Sequence, residues 1–377
     1  MSKKGSVLGG VLLVGGTCIG AGMLGLPVMT AAAGFYPTLG AFLLVWFFMS
    51  CSALAYLEVA LRFKGDTNLI SMAGHTLGKA AKVFALVLFI FFLYSLMAAY
   101  TSGGTTMLGH ILGRDVTGHA DLFLIALLFA APFALLVYLG PHWVDHLNRW
   151  LMLIFILAFV GICVLALNIG PAEQFNPVGE PKYLLFTFSY LVTSFGFQTL
   201  IPSLKSYFHE DIKKLRKTII IGCLFPLIVY VIWELIIINL IPTWGDDGLV
   251  HMLNSGVNSL VAMTDSLAQH GKPIIICAEV FAFFALITSF LGVGLGIFDF
   301  LSDSFKIDKK QSSGRVILSL LTFVPPILFT VIYPSGFLIA LTYAGVFASI
   351  LLIIYPALMA WHARYTKKIP GEYEMTG

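Results

Sequence analysis

The residues of this chain best suited to chemistry carry no charge. Gly15–Pro27 reads GGTCIGAGMLGLP, and Thr193–Gln198 reads TSFGFQ, with Pro202 just beyond. Each stretch lies inside an apolar run long enough to cross a bilayer, yet glycine at this density makes a poor continuous helix. In hydrocarbon, interrupted backbone persists only where protein or a wet cavity satisfies the freed N–H and C=O groups. A helix broken at mid-membrane bares N–H groups at the start of its outer half and C=O groups at the end of its inner half. The first suit a carboxylate; the second suit an ammonium or a metal cation. Gly20, Ala21 and Gly22 let a carboxylate approach the backbone, and carbonyls around Thr193–Phe195 can face an amino group. Together the two breaks serve a zwitterion, so an α-amino acid is the expected ligand. Glycines that merely let helices pack are the alternative; two breaks in matching places, each followed by proline, favour the site.

Other groups extend this reading. Aromatic rings flank the breaks, and Tyr94, Phe195, Phe197 and Phe283 are expected to enclose an apolar part of the ligand, with Gln198 beside them at the substrate. Thr288 and Ser289, with carbonyls near Gly16 and Ile19, can offer oxygens to Na⁺. Hydroxyls bonded to their own helix would look the same in sequence. Of the carboxylates at membrane depth, Glu58 has Arg62 four residues on and reads as a structural pair, whereas Glu234 and Glu279 are the protonation candidates. Gly20–Gly25 also spells GxGxxG, but no strand precedes it, so a dinucleotide site is not expected. The histidines form no HExxH, and the five cysteines are scattered through apolar spans without CxxC spacing. No catalytic residue, cofactor or structural metal is expected, and a membrane-embedded enzyme or a channel is the weaker reading.

The elements that must position these groups are helices in lipid. Hydrophobic residues make up 59% of 377 and charged residues 11%, about half the charged share of a soluble domain. Apolar runs predict ten spans, near Val7–Ala33, Thr38–Phe63, Val83–Leu112, Leu122–Leu139, Trp150–Ile169, Tyr183–Ser206, Ile219–Ile241, Pro273–Leu301, Val316–Tyr333 and Gly336–Trp361. With a cytoplasmic N-terminus, only Arg114, Lys182 and Lys272 of the 22 lysines and arginines fall outside, which puts both termini in the cytoplasm. Five spans per half force the second half to enter from the opposite face. The expected layout is therefore a 5+5 inverted repeat with discontinuous helices 1 and 6. Its units are residues 1–170, an outer linker 171–182, residues 183–365, and a polar cytoplasmic tail 366–377. A short interfacial helix is expected in 65–82, begun at Asp66-Thr67; 242–272, the longest outer loop, is read as a solvated surface, with a lid as the alternative.

Four motifs in order, GGTCIGAGMLGLP, FGFQTLIPSLKSYF, KKLRKTIIIG and SFLGVGLGIFDFLSD, resemble the hydroxy/aromatic amino acid permeases of the amino acid/polyamine/organocation superfamily. They look most like the bacterial tyrosine/tryptophan-specific transporters, and the similarity covers nearly the whole chain. The resemblance implies an all-α, polytopic LeuT-type fold in the bacterial inner membrane. It implies import of tyrosine or tryptophan by alternating access, coupled to H⁺, with Na⁺ as the other cation. It places Thr17, Gly20 and Gly22 at the substrate carboxylate, Ser194–Gly196 at the amine, and Thr288 and Ser289 where sodium-coupled relatives hold an ion. Gln198 stands where members often have histidine, and the fifth span lacks the lysine that replaces the ion in proton-coupled relatives. A serine/threonine permease of the same fold is the alternative. The expected partners are the small-molecule substrate and membrane lipid, with no nucleic acid and no obligate protein partner.

Overall fold

The computed structural model describes residues 5–63, 65, 67–114, 118–167, 169, 176–254 and 259–375, and contains no strand among them. The first apolar run holds three helices, α1 (Val7–Cys18), α2 (Ala21–Leu24) and α3 (Leu26–Thr30). After them come α4 (Phe35–Leu61), α5 (Leu69–Thr76), α6 (Lys79–Ile111), α7 (His119–Leu139) and α8 (Pro141–Ala166). A second divided run holds α9 (Leu184–Ser194) and α10 (Ile201–Tyr207). The remainder comprises α11 (Ile212–Leu240), α12 (Leu249–Asn254), α13 (Ser259–Ser266), α14 (Lys272–Phe305), α15 (Ser312–Ile332), α16 (Phe337–Ala348) and α17 (Tyr355–Trp361). Eight helical runs are long and apolar enough to cross a membrane: α4, α6, α7, α8, α11, α14, α15 and the run Phe337–Thr366 that contains α16 and α17. The runs expected at Val7–Ala33 and Tyr183–Ser206 are the two that are divided.

Local chemistry explains the ends. Ser6 accepts from Gly9 N–H at 3.0 Å and starts α1, and Asp211 accepts from Lys214 N–H at 3.1 Å and starts α11. The short helix α5 forms within the expected segment, but Asn68 caps it, accepting from Ser71 N–H at 2.9 Å, rather than Asp66-Thr67. Asp66 lies outside the described residues, as do residues 171–175 of the expected linker. The long outer segment 242–272 carries α12 and α13.

In lipid, helices associate chiefly through packing, and small residues set how closely backbones approach. Gly345 of α16 meets α9 so closely that a Cβ there would overlap the Ser189 carbonyl. α1 lies along α11, with Gly10 beside Thr218 and Val14 beside Gly222. Between α8 and α14, the rings of Phe155 and Phe281 stack at 5.0 Å, and Trp233 of α11 joins them at 4.9 Å from Phe281. Large apolar side chains such as Phe47, Phe91, Leu128, Leu157 and Ile232 remain exposed on the outside of the bundle, as hydrocarbon surroundings permit.

One end of the bundle gathers charge. Glu58, with no exposure, accepts from Arg62 at 2.9 Å, from Arg364, and from Met375 N–H at 2.9 Å. The Glu58–Arg62 pair read from sequence is thus part of a larger buried cluster. Lys205 of α10 donates to the carbonyls of Ala60 (3.1 Å) and Phe63 at the end of α4, satisfying groups the helix leaves bare. Gly5, just before α1, lies at the same end against Tyr207.

Candidate functional site

The first break falls between Cys18 and Ala21. Ile19 is extended (φ −78°, ψ 102°), and so is Gly20 (φ −164°, ψ −153°). Ala21 N–H, which would bond Thr17 C=O in a continuous helix, instead donates to Ser289 Oγ of α14 at 2.9 Å. Glycine at position 20 makes room for this crossing: a Cβ there would stand 2.5 Å from Ser289 Oγ and displace that hydroxyl. The backbone conformation of Gly20 is open to any residue; the space is not.

The second break starts after Ser194. Phe195 N–H still reaches Leu191 C=O at 3.2 Å and Gly196 N–H reaches Thr193 C=O at 3.1 Å, then Phe197 (φ −136°, ψ 0°) leaves the helix. A tight turn over Gln198–Leu200 leads into α10, with Pro202 where its missing N–H costs nothing. The two breaks touch, because Ser194 Oγ lies 3.3 Å from Gly22 C=O.

Between them is a cavity of about 470 Å³, within the range of about 300–1,000 Å³ common for small-molecule sites. Gly16 through Gly22, Thr193, Ser194, Gly196 and Thr199 form one wall. Phe89, Phe92, Leu93, Leu96 and Tyr100 of α6 form a second, and Thr288, Ser289, Gly292, Val293 and Gly296 of α14 form a third. Asn148 and Met152 of α8 complete it, and none of these lining residues is charged. Phe89 and Phe92 lie in the part of α6 that begins at Lys79, and Asn148 lies near the start of α8. The cavity therefore extends from the breaks toward the end of the bundle that carries Gly5. Toward the other end, the Phe155–Phe281–Trp233 stack fills the interior, and Thr30 Oγ1 donates to Glu234 Oε1 at 2.5 Å.

The structure brings together Gly16, Thr17, Ile19, Gly20, Ala21, Gly22, Ser194, Gly196, Thr288 and Ser289 around this cavity. Thr17 Oγ1 donates back to Leu13 C=O at 2.8 Å, and Thr288 Oγ1 to Ala285 C=O at 3.1 Å, so both hydroxyl protons are used within their own helices. Five expected residues lie elsewhere. Phe195 is buried with its ring edge-on to Tyr230 at 5.0 Å. Phe197 is wholly buried off the cavity wall. Gln198 turns to α4, donating to Met49 C=O at 3.2 Å while its Oε1 accepts from Phe197 N–H. Phe283 packs edge-on to Phe129 at 6.3 Å. Tyr94 lines an outer groove and donates to Leu321 C=O at 2.8 Å, a carbonyl that Pro325 cannot serve four residues on.

The aromatic wall comes from α6 instead. Phe89, Phe92, Leu93, Leu96 and Tyr100 recur at helical spacing, and Tyr94 is off that stripe. The same spacing recurs in Thr288, Ser289, Gly292, Val293 and Gly296, so the phase of each helix was the signal that finds these residues. The expected dipole is also altered. The part of the first run beyond the break is divided into a four-residue and a five-residue helix, so it presents local N–H groups rather than a long aligned dipole.

Two interrupted helices thus enclose an uncharged, partly aromatic cavity inside a bundle of membrane-spanning helices. In overall fold the chain is similar to MhsT, solved in complex with L-phenylalanine, with a TM-score of 0.59, 15% identity, and 97% of each chain covered. The profile of the tryptophan/tyrosine permease family matches residues 3–377, and the chain belongs to that family. It is 36% identical over 361 residues to tyrosine-specific transport system 1 of Haemophilus influenzae, covering 95% of this chain and 88% of that protein. It is 33% identical over 369 residues to a tryptophan-specific transport protein of Pseudomonas aeruginosa, covering 96% and 88%. It is 32% identical over 381 residues to the low affinity tryptophan permease of Escherichia coli, covering 98% and 90%.

Proposed function

We propose that this permease imports an aromatic amino acid, tyrosine or tryptophan, across the bacterial inner membrane by cation-coupled symport and alternating access. The observation that carries the reading is the cavity itself, where two backbone breaks meet beside the rings of Phe89, Phe92 and Tyr100. The substrate carboxylate lies against the backbone of Gly20–Gly22, and the amine against the carbonyl ends of α1 and α9. Phe89, Phe92 and Tyr100 take the aromatic side chain. Burying about 100–150 Å² of ring surface there contributes roughly 2.5–4 kcal/mol at about 25 cal/mol per Å².

The ten-crossing layout follows by adding the two divided runs to the eight long helices. Counted as five plus five, they form inverted repeats whose first members are the broken ones. With the basic residues inside, both termini face the cytoplasm and the cavity opens inward. Gly16 and Ile19 carbonyls, with the oxygens of Thr288 and Ser289, supply the cation site. H⁺ is the favoured coupling ion; Na⁺ stands as the second candidate because Met152, not the lysine that replaces the ion in proton-coupled relatives, faces Gly16.

Uptake into proteoliposomes tests this reading. Labelled L-tyrosine or L-tryptophan is expected to accumulate when a pH or Na⁺ gradient is imposed, and each is expected to compete with the other. Stronger competition by L-serine than by L-tryptophan would overturn the aromatic assignment. Equilibration without accumulation would overturn coupling.

A further inference from the structure

The carbonyls at the two breaks converge on one atom. Cys18 is the last residue of α1 and Ser194 the last of α9. In continuous helices their carbonyls would accept from the N–H groups four residues on, at Gly22 and Gln198. Instead, Tyr230 of α11 presents its hydroxyl 2.7 Å from Cys18 C=O and 2.6 Å from Ser194 C=O. A phenol has one proton, so that proton is shared between two acceptors from different broken helices. The side chain has no exposure, and edge-on contacts with Phe195 (5.0 Å) and Phe42 (6.4 Å) fix its ring. One turn further along α11, Glu234 holds Thr30 on the far side of the first break. α11 thus grips the first run on both sides of its interruption and the second run at its own.

We propose that Tyr230 is a positioning residue for the substrate amine: its hydroxyl fixes the Cys18 and Ser194 carbonyls side by side on the cavity wall. Each carbonyl keeps a second lone pair for the ammonium, and both residues line the cavity. Without the proton the two oxygens repel; the neighbouring link between the runs, Ser194 Oγ to Gly22 C=O of α2 at 3.3 Å, does not hold either oxygen. The inference rests on the amino acid reading of the cavity and adds a residue that does not itself touch substrate.

The test uses the full-length protein in lipid nanodiscs. Three forms are compared: wild type, Tyr230→Phe, and a form with 4-aminophenylalanine at 230, whose two N–H groups restore a donor to each carbonyl. Binding of L-tyrosine is measured beside its des-amino analogue, 3-(4-hydroxyphenyl)propionate. Tyr230→Phe is expected to weaken tyrosine about tenfold, as for a lost hydrogen bond to a charged group's site, and the analogue less than about twofold. The 4-amino form is expected to bind tyrosine as wild type does. Equal losses for both ligands, or equal behaviour of the phenylalanine and 4-amino forms, would overturn the assignment.

A substrate-free readout separates this from the transport reading. In a background where the other four cysteines are alanine, alkylation of buried Cys18 is expected to be about tenfold faster in Tyr230→Phe, because the end of α1 is released. If wild type binds neither tyrosine nor tryptophan, the aromatic reading fails while this rate still decides the tether; an unchanged rate overturns it.

Discussion

Replacing Gly20 with alanine probes the site with one methyl group. Its Cβ would lie 2.5 Å from Ser289 Oγ, whereas ordinary contacts start near 3.4 Å. Ser289 or the backbone at the break must therefore retreat by about 1 Å, and overpacking of this kind costs about 1–3 kcal/mol. The retreat also breaks the 2.9 Å bond from Ala21 N–H to Ser289, worth about 1 kcal/mol. A total of roughly 2 kcal/mol or more, expressed in the shape of the cavity, weakens tyrosine binding about 30-fold. Equilibrium binding to purified protein measures this, with the thermal unfolding midpoint recorded to show that the bundle is intact. Adding Ser289→Gly gives the methyl room but does not return the hydrogen bond. The double variant is expected to recover to within about fivefold of wild type, the remainder of one lost bond. Gly20→Ala binding within twofold of wild type would refute the argument that the cross-link to α14 shapes the site.

Phe92→Ala removes part of the aromatic wall and is expected to weaken tryptophan by about tenfold, for roughly 50–60 Å² of lost contact, while leaving L-serine competition unchanged; equal effects on both would place the ring elsewhere. Tyr94→Phe loses only the bond to Leu321 C=O and is expected to leave aromatic uptake within twofold of wild type, so a large loss would return Tyr94 to the site. Thr30→Val strands the buried Glu234 carboxyl and is expected to destabilise the protein by about 1–3 kcal/mol, read as a lowered unfolding midpoint in detergent. An unchanged midpoint would contradict that pairing.

Apolar length carried the helices: eight of the expected spans fall on helical runs long enough to cross a membrane, and the two glycine-rich ones are those the structure divides. The backbone that lines the cavity was also legible, because Gly20–Gly22, Ser194 and Gly196 fall in the stretches whose composition breaks the helix. Side-chain participants were less so. Phe195 sits at the second break, but a residue leaving a helix can turn either way, and the buried ring of Tyr230 draws it inward to α11. Tyr94 and Tyr100 are equally aromatic; only their phase against Phe89, Phe92 and Leu96 separates the lipid-side groove from the cavity. Tyr230 left no local signal at all. Its partners are 212 and 36 residues away in sequence, and a tyrosine in an apolar helix is unremarkable until the fold places two carbonyls beside it.

The most direct measurement is an experimental structure with L-tyrosine bound. The account predicts the carboxylate within hydrogen-bond reach of the Gly20–Gly22 backbone, the amine against the Cys18 and Ser194 carbonyls, and the ring between Phe92 and Tyr100. A ligand seated outside this cavity, or one whose amine points away from both broken helices, would contradict it.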